Sequence, residues 1–285
     1  MLLAIDVGNT NTVLGLYEGE QLIHHFRIAT NRSGTADEMS ELMLSLLERK
    51  KIDPSQIDGS IVASVVPQLN RVVVEAATKS FGTGRSGEGP VVVGPGVKTG
   101  MPILVDNPNE VGADRIVNAV AGYARHKQAL IIVDVGTATT CDAVDDKGQY
   151  LGGAIAPGID VSMDALFTRA AKLPRVELKR PPSVIGKNTT HALQSGLVFG
   201  YAGLVDEIVS RMKLEPSLCR PGTGFPPRVI ATGGLAFLFE GISRTLEVVD
   251  EFLTLDGLRI IYGVNTPTAT GSPVLRTSPP TKKQP

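Results

Sequence analysis

The sequence predicts an α/β fold made of two similar halves, and three observations carry that reading. One stretch occurs twice, as Asp6-Val7-Gly8-Asn9-Thr10-Asn11-Thr12 and as Asp134-Val135-Gly136-Thr137-Ala138-Thr139-Thr140. Each copy follows an apolar run, Leu2 to Ile5 or Leu130 to Val133, and leads into a strand-like segment, Val13 to Tyr17 or Cys141 to Val144. Each therefore reads as a β-hairpin with a Gly-Thr turn. Between and after the hairpins, apolar residues recur at helical spacing, and 285 residues with 42% hydrophobic content can fill two cores.

In chain order, Glu18-Gly19-Glu20 is a turn, and Gln21 to Ala29 alternates as a third antiparallel strand. His24 and His25 then lie on opposite faces and cannot form a metal pair. Thr35-Ala36-Asp37-Glu38 has the form of a capping box, and Met39, Leu42, Met43, Leu46 and Leu47 follow as a core-facing stripe. Ser60 to Val66 reads as a buried strand, and Gln68 to Phe81 as a helix whose start tolerates Pro67. Gly82-Thr83-Gly84-Arg85-Ser86-Gly87 has the dinucleotide-fingerprint spacing, but it leaves a helix and precedes strand-like Val91 to Val93. The fingerprint needs the reverse context, so this stretch is a surface loop. Pro95 to Pro108, rich in Gly and Pro around apolar Ile103 to Val105, suits a loop or edge strand over a cleft. Asn109 to Arg115 opens a helix with apolar Ile116, Val117, Ala119, Val120 and Tyr123.

The second half repeats the plan. Ala129 to Val135 is a strand, the hairpin runs to Val144, Asp145-Asp146-Lys147-Gly148 turns, Tyr150 to Ala156 is a third strand, and a helix runs on through Ala171. Gly152-Gly153 and Pro157-Gly158 bracket the third strand and fit a close backbone approach, a bulge or a tight helix start equally. Beyond the irregular Pro174 to Pro182, Gly186-Lys187-Asn188-Thr189-Thr190 precedes a long helix with Leu193, Leu197, Tyr201, Leu204, Val205, Ile208 and Met212 on one face. After a second irregular segment, Pro216 to Pro227, Arg228 to Ala231 is a strand ending in Thr232-Gly233-Gly234. Leu235 to Ile242 and Leu255 to Tyr262 read as helices, and Thr266 to Pro285 carries too little apolar surface to order itself.

A formal charge of −1 and a pI of about 6.4 give no electrostatic case for nucleic acid or an anionic membrane as partner. Cys141 and Cys219 form neither a Cys-x-x-Cys pair nor a zinc spacing, so both are expected reduced. Met1 to Ile5 lacks a basic leader and meets Asp6 at once, and no apolar run approaches ~18 residues. The expectation is a soluble cytoplasmic protein.

The chemistry resides in the repeated stretch. A carboxylate at a strand end, followed by a turn of Gly and small hydroxyl residues, offers backbone N–H groups to phosphate while the acid faces a cation. Two such turns can grip one nucleotide from both sides. Asp114 and Arg115 sit in a first helical turn after a Gly-rich approach, where free N–H groups and the helix dipole favour negative charge. Asp142 reads either as an acid that supports a site residue or as an ordinary hairpin residue, with the latter preferred, and the conventional partner for Arg115 is Glu110 or Asp114.

Taken together, Asp6-x-Gly-Asn-Thr with Gly15, Gly112-Ala113-Asp114-Arg115, Asp134-x-Gly-Thr-Ala-x-Thr with Asp142, Gly152-Gly153-x-Ile-x-Pro-Gly158, Gly186-Lys187-Asn188-Thr189 and Thr232-Gly233-Gly234 resemble, in order and spacing, the type III pantothenate kinases. The resemblance runs from Met1 to about Gly263. It implies a duplicated ribonuclease H-like, actin-like ATPase fold: an N-terminal half over 1–116, a C-terminal half over 117–265, each a mixed sheet flanked by helices, and a disordered tail over 266–285. It further implies phosphorylation of pantothenate at its primary hydroxyl by ATP, with magnesium and a monovalent cation (potassium or ammonium). By matching position, Asp6, Val7, Gly8, Asn9, Thr10, Asn11, Thr12 and Val13 hold ATP phosphates, with Asp6 facing magnesium, and Thr137 contacts ATP. Asp134 binds the monovalent cation. Val105, Gly112, Ala113, Asp114 and Arg115 meet pantothenate, Asp114 is the proton acceptor, and Thr189 reaches the substrate across a homodimer interface.

Two positions depart from the family pattern. Val105 stands where a Tyr is common before Asp-Asn-Pro, which removes one hydroxyl from the substrate side, and Cys141 stands where an aromatic residue is common. The resemblance also leaves two other readings. One is a non-catalytic nucleotide-binding accessory factor for a transcriptional regulator. The other is a sugar or acetate kinase of the same superfamily, against which the Gly-Ala-Asp-Arg and Gly-Lys-Asn-Thr stretches argue.

Overall fold

Two five-stranded mixed sheets, built on one plan, form the frame of the computed structural model, which describes residues 1–84, 87, 89–170, 172–218 and 226–266. Outside the described residues lie Arg85 and Ser86 of the expected surface loop, part of the second irregular segment with Cys219, and the tail beyond Thr266. The first sheet contains β1 (Leu2–Val7), β2 (Asn11–Glu18), β3 (Gln21–Ala29), β4 (Gly59–Ser64) and β5 (Val91–Val92), in the order β3-β2-β1-β4-β5. The second contains β6 (Leu130–Val135), β7 (Ala138–Val144), β8 (Tyr150–Pro157), β9 (Arg228–Thr232) and β10 (Val248–Val249), in the order β10-β9-β6-β7-β8. In both, the first strand is central, pairs antiparallel with the next and parallel with the fourth. The repeat in the sequence is thus a repeat of topology.

Six helices fill the layers: α1 (Ala36–Arg49), α2 (Pro67–Phe81), α3 (Ala113–His126), α4 (Ile159–Arg169), α5 (Thr189–Met212) and α6 (Leu253–Asn265). The capping box forms as the sequence predicts, with the Glu38 N–H donating to the Thr35 hydroxyl and the Thr35 N–H to the Glu38 carboxylate. Met39, Met43 and Leu47 of the stripe are buried with α2 residues Leu69, Val73, Ala76 and Ala77 against the outer face of the first sheet, while Leu42 remains exposed. On the outer face of the second sheet, Leu197, Ala202, Val205 and Val209 of α5 pack with Ile159 and Met163 of α4.

The third apolar cluster lies between the sheets. Ile116, Val117, Val120 and Ala121 of α3 and Leu253, Leu255, Leu258 and Ile261 of α6 fill it against Ala4, Tyr17, Ile61 and Ala63 on one side and Leu130, Ile132, Tyr150 and Ile230 on the other. The layer order is therefore helices, sheet, α3 with α6, sheet, helices. Burial of the periodic faces, at about 25 cal/mol per Å², is what favours each helix over coil. α3 and α6 touch where Gly257 lies against the Val117 backbone; a Cβ at Gly257 would come within 2.1 Å of the Val117 carbonyl oxygen.

Two segments differ from expectation. Leu235 to Ile242 forms only a four-residue 3₁₀ turn, Ala236–Phe239, which Gly241 closes at φ +67°. The final helix is longer than its apolar pattern, running from Leu253 to Asn265, whose side-chain amide donates to the Ile261 carbonyl in the last turn. Val105 lies in the segment that bridges from Ile103 to Tyr150 at the exposed edge of β8, as expected for a strand-like piece over a cleft.

Candidate active site

The two hairpin turns face each other at the ends of β1 and β6. Each closes by one backbone bond, from the Gly8 N–H to the Asn11 carbonyl and from the Gly136 N–H to the Ala138 carbonyl, both 3.0 Å. The hydroxyls of Thr10 and Thr137 meet across the gap at 3.0 Å. Behind the first turn, the Thr30 hydroxyl donates to the Gly8 carbonyl at 2.7 Å and receives the buried Thr12 hydroxyl at 3.0 Å. That relay fixes the turn from Gly8 to Thr12 and leaves its outer side toward the gap. Arg32 donates to the Asn9 side chain at 2.9 Å. The Arg27 guanidinium lies so close to the Thr232-Gly233-Gly234 turn that a Cβ at Gly234 would sit 2.8 Å from it. Two cations thus stand near the hairpin turns.

Asp114 and Arg115 open α3 behind Gly112. The Asp114 carboxylate accepts the Arg115 N–H at 2.8 Å, which satisfies one of the free donors of the first turn. A Cβ at Gly112 would come within 2.6 Å of that carboxylate and press on it. Arg115 does not pair with Glu110: its Nε and Nη2 both donate to Asp142 Oδ1, at 2.9 and 2.6 Å. The same carboxylate accepts the Tyr150 hydroxyl at 2.6 Å and the Thr140 hydroxyl at 3.1 Å. Asp142 is only 2% exposed, so the expectation of an ordinary hairpin residue is overturned. Gly153, its register partner on β8, admits the pair, since a Cβ would lie 2.1 Å from the Cys141 carbonyl oxygen and 3.0 Å from Arg115 Nη2. Cys141 itself is buried against the outer cluster.

Asp134 is held from behind. Its Oδ2 accepts the Asn118 side-chain amide at 3.0 Å, and the Asn118 carbonyl oxygen accepts the Thr254 hydroxyl at 2.7 Å, so α3 and α6 together aim one carboxylate of β6. Gly233, at φ +93°, lies directly against the other oxygen. The hydroxyl of Thr232, the register partner of Asp134 on β9, is buried and has no partner among the described residues.

Sequence comparison decides which protein family this geometry belongs to. The profile of the family described as type III pantothenate kinase matches residues 2–211. The chain belongs to the type III pantothenate kinase family. A type III pantothenate kinase from Myxococcus xanthus (strain DK1622) is 55% identical over 265 residues, covering 93% of this chain and 99% of that protein. Another from Anaeromyxobacter sp. (strain Fw109-5) is 56% identical over 265 residues, covering 93% and 100%. Among solved structures, a conserved Campylobacter jejuni protein assigned to the Baf family of transcriptional activators superposes with a TM-score of 0.55 at 18% identity, covering 92% of this chain and 98% of that one. A Porphyromonas gingivalis protein assigned as an N-acetylglucosamine kinase gives 0.50 at 14%, covering 93% and 99%. These two likenesses speak for the fold alone, the duplicated ribonuclease H-like frame.

The electrostatics of the cleft follow from crowding of acids. Burial pushes the Asp6 carboxyl up to about 8, with the charges of Asp114 and Asp134 adding to the rise and Arg27 opposing it. Burial also raises Asp134 to about 7, helped by Asp114 and Asp142 and opposed by the Asn118 amide. Asp114 is raised by burial, against the lowering effect of the Arg115 N–H. Carboxylates that repel one another in this way, beside an orphaned threonine hydroxyl, are a donor set suited to cations. Among the described residues no three His, Cys, Asp or Glu side chains form a group that could hold a metal ion by themselves.

Asp6 through Val13, Thr137, Gly112 to Arg115 and Asp134 are thus gathered around one cleft. Val105 lies beside its rim, with a methyl 3.5 Å from where a Cβ of Gly152 would stand. Thr189 is not gathered with them: it is exposed at the first turn of α5, beside the Asn188 cap. Sequence reasoning missed Asn118, Thr254, Tyr150 and Arg27 as parts of the site. The one local signal was polarity out of place, Asn118 within the apolar face of α3 and Arg27 within an alternating strand.

Proposed function

We propose that this chain transfers the γ-phosphoryl group of ATP to the primary hydroxyl of pantothenate, giving 4′-phosphopantothenate, the first step of coenzyme A synthesis. The observation that carries the reading is the placement of Asp114, at the start of α3, between two phosphate turns in a chain of this family. All five of Asp6, Asp114, Arg115, Asp134 and Thr137 are present, which favours the enzyme over a non-catalytic accessory factor.

Phosphoryl transfer through a loose transition state needs positioning and charge neutralisation more than a strong base. Asp114 orients the acceptor hydroxyl and takes its proton late; the burial that raises its proton affinity suits that task. Arg115, held by Asp142, presents the remaining edge of its guanidinium to an anion of the reacting pair, the pantothenate carboxylate or the phosphoryl group. The Gly8 to Thr12 turn and Thr137 hold the ATP phosphates from opposite sides, with Arg27 and Arg32 adding positive charge. Asp6 and Asp134 hold magnesium and a monovalent cation, respectively; bound there, the cations neutralise charge on the transferring group.

Thr189 serves the substrate of a second copy of this chain in a homodimer. Its exposure, and the exposed Val184 and Ile185 just before it, support a surface that a second copy covers. No described helix is long and apolar enough to cross a membrane, and a buried unpaired Cys141 accords with a cytoplasmic enzyme.

The test is a coupled assay of ADP release with ATP, magnesium and potassium. Release should depend on pantothenate, and Asp114→Asn should abolish it while the melting transition is retained. Pantothenate-independent turnover, or an active Asp114→Asn protein, would sink the mechanism.

A further inference from the structure

A second cavity, of about 450 Å³, opens at the opposite end of the first sheet from the phosphate turns. Its lining includes Leu2 at the start of β1, Tyr17 and Glu18 at the end of β2, Gly59 at the start of β4, and Arg259 and Gly263 of α6. None of these residues belongs to the cleft described above. Tyr17 supplies an aromatic wall, with the Arg259 guanidinium carbon 5.8 Å from its ring centroid.

Arg259 is the feature that asks for a ligand. Its Nε is buried and has no hydrogen-bond partner among the described residues, and its nearest acid, Glu20, lies 3.9 Å from Nη1 and is 87% exposed. A buried donor left unmet is costly, more so when the group is charged. The other cation lining the cavity, the Met1 ammonium, is already taken by the Gln56 carbonyl and the Asp58 carboxylate. Arg259 lines the cavity with its side chain 21% exposed, and its two Nη nitrogens form the fork that a carboxylate fits with two parallel hydrogen bonds. Glu18 at the rim is exposed and disfavours a second negative charge.

The cavity is also joined to the active site by α6. Thr254, at one end of that helix, holds Asn118 and through it Asp134, whereas Arg259 and Gly263 line the cavity nearer its other end. Tyr17 donates to Asp256 at 2.9 Å, and Asp256 pairs with Arg125 of α3.

We propose that this cavity binds a small monocarboxylate with a flat apolar body, its carboxylate on Arg259 and its body against Tyr17, and that occupancy is transmitted along α6 to the α3–α6 contact behind Asp134. The binding does not depend on the reaction assigned to the cleft. Benzoate is the probe, followed by calorimetry and saturation-transfer NMR on the full chain. Arg259→Met should weaken binding at least tenfold, and so should Gly263→Leu, which fills open space where a Cβ meets nothing within 4 Å. Arg115→Lys, which keeps a positive charge beside Asp142, should bind benzoate as the parent does, because the other carboxylate-seeking arginine is in the cleft. Hydrogen exchange in residues 113–126 and 253–265 should slow with benzoate in the parent and not in Gly263→Leu. Benzoate that fails to bind the parent, binds both cavity variants undiminished, or is lost in Arg115→Lys overturns the site; binding without altered exchange in these helices overturns the transmission. If Arg259→Met melts early, Gly263→Leu alone decides the matter.

Discussion

Arg115 and Asp142 meet across the two repeats: Nε and Nη2 of the arginine, from the start of α3, converge on one oxygen of an aspartate in the middle of β7. The pair is nearly closed to solvent, with side-chain exposures of 14% and 2%. Removing one member of such a pair leaves a buried charge unmatched, at a cost of about 3–5 kcal/mol.

Asp142→Asn should therefore destabilise the protein measurably in urea unfolding and lower kcat/KM by at least about a hundredfold, since an arginine without its anchor no longer presents a fixed edge. The split between substrates identifies the anion that Arg115 holds. A rise confined to the KM for pantothenate assigns the carboxylate, and a fall in kcat with both KM values kept assigns the transferring phosphoryl group. Unchanged kinetics would remove Asp142 from the site.

The crowded acids make stability depend on pH. Asp6 and Asp134 titrate near their ordinary value of 3.8 in the unfolded chain but are raised to about 8 and about 7 in the folded one. Between about pH 4 and pH 8 the folded form holds the extra protons, so its stability falls as pH rises through that window. In metal-free buffer, the melting temperature should drop by several degrees from pH 5 to pH 8.5. Magnesium with ATP and potassium, which need the deprotonated acids, should restore more at pH 8.5 than at pH 5. A melting temperature that holds or climbs over that range without ligand would falsify the assignment.

Thr254→Val removes the hydroxyl that steadies Asn118 and leaves the buried amide oxygen unmet, at about 1–3 kcal/mol. Because Asn118 aims Asp134, the potassium concentration giving half-maximal rate should rise several-fold, with the maximal rate recovered at high potassium. An unchanged potassium dependence would show that Asp134 needs no such support.

Val105→Tyr tests the substrate rim. Val105 is half-buried beside Gly152, where the chain runs past the edge of β8. A ring and hydroxyl there should lower the KM for pantothenate several-fold and leave that for ATP alone. Equal or weaker binding would mean that the valine does not limit substrate capture.

The parts of this fold that could be read from the sequence are those whose signal is local. The hairpin turns at Gly8 and Gly136, the capping box at Thr35 and the apolar phase of α3 each depend on residues within a few positions. Asp142 could not be read in this way. Its partner precedes it by a helix and a strand, and their meeting depends on the β7–β8 register that puts Gly153 opposite, with the shift between Ala143 and Val144 bending the ladder. Asn118 hid in an apolar face for a similar reason, as both its partners come from other elements. The 3₁₀ turn at Ala236–Phe239 looked helical because its apolar spacing is right, but glycines at 233, 234 and 241 confine it to four residues.

The placement of α6 also bears on synthesis. Leu255 lies against Gly15 of β2, and Leu253, Leu258 and Ile261 cover the inner face of the first sheet, although they are made some two hundred residues after it. While the ribosome is still producing the second sheet, β1, β2 and β4 lack that apolar cover. The nascent first half thus keeps an apolar face uncovered until then, and Asp134 gains the threonine that steadies its asparagine only when the polypeptide has grown past residue 254.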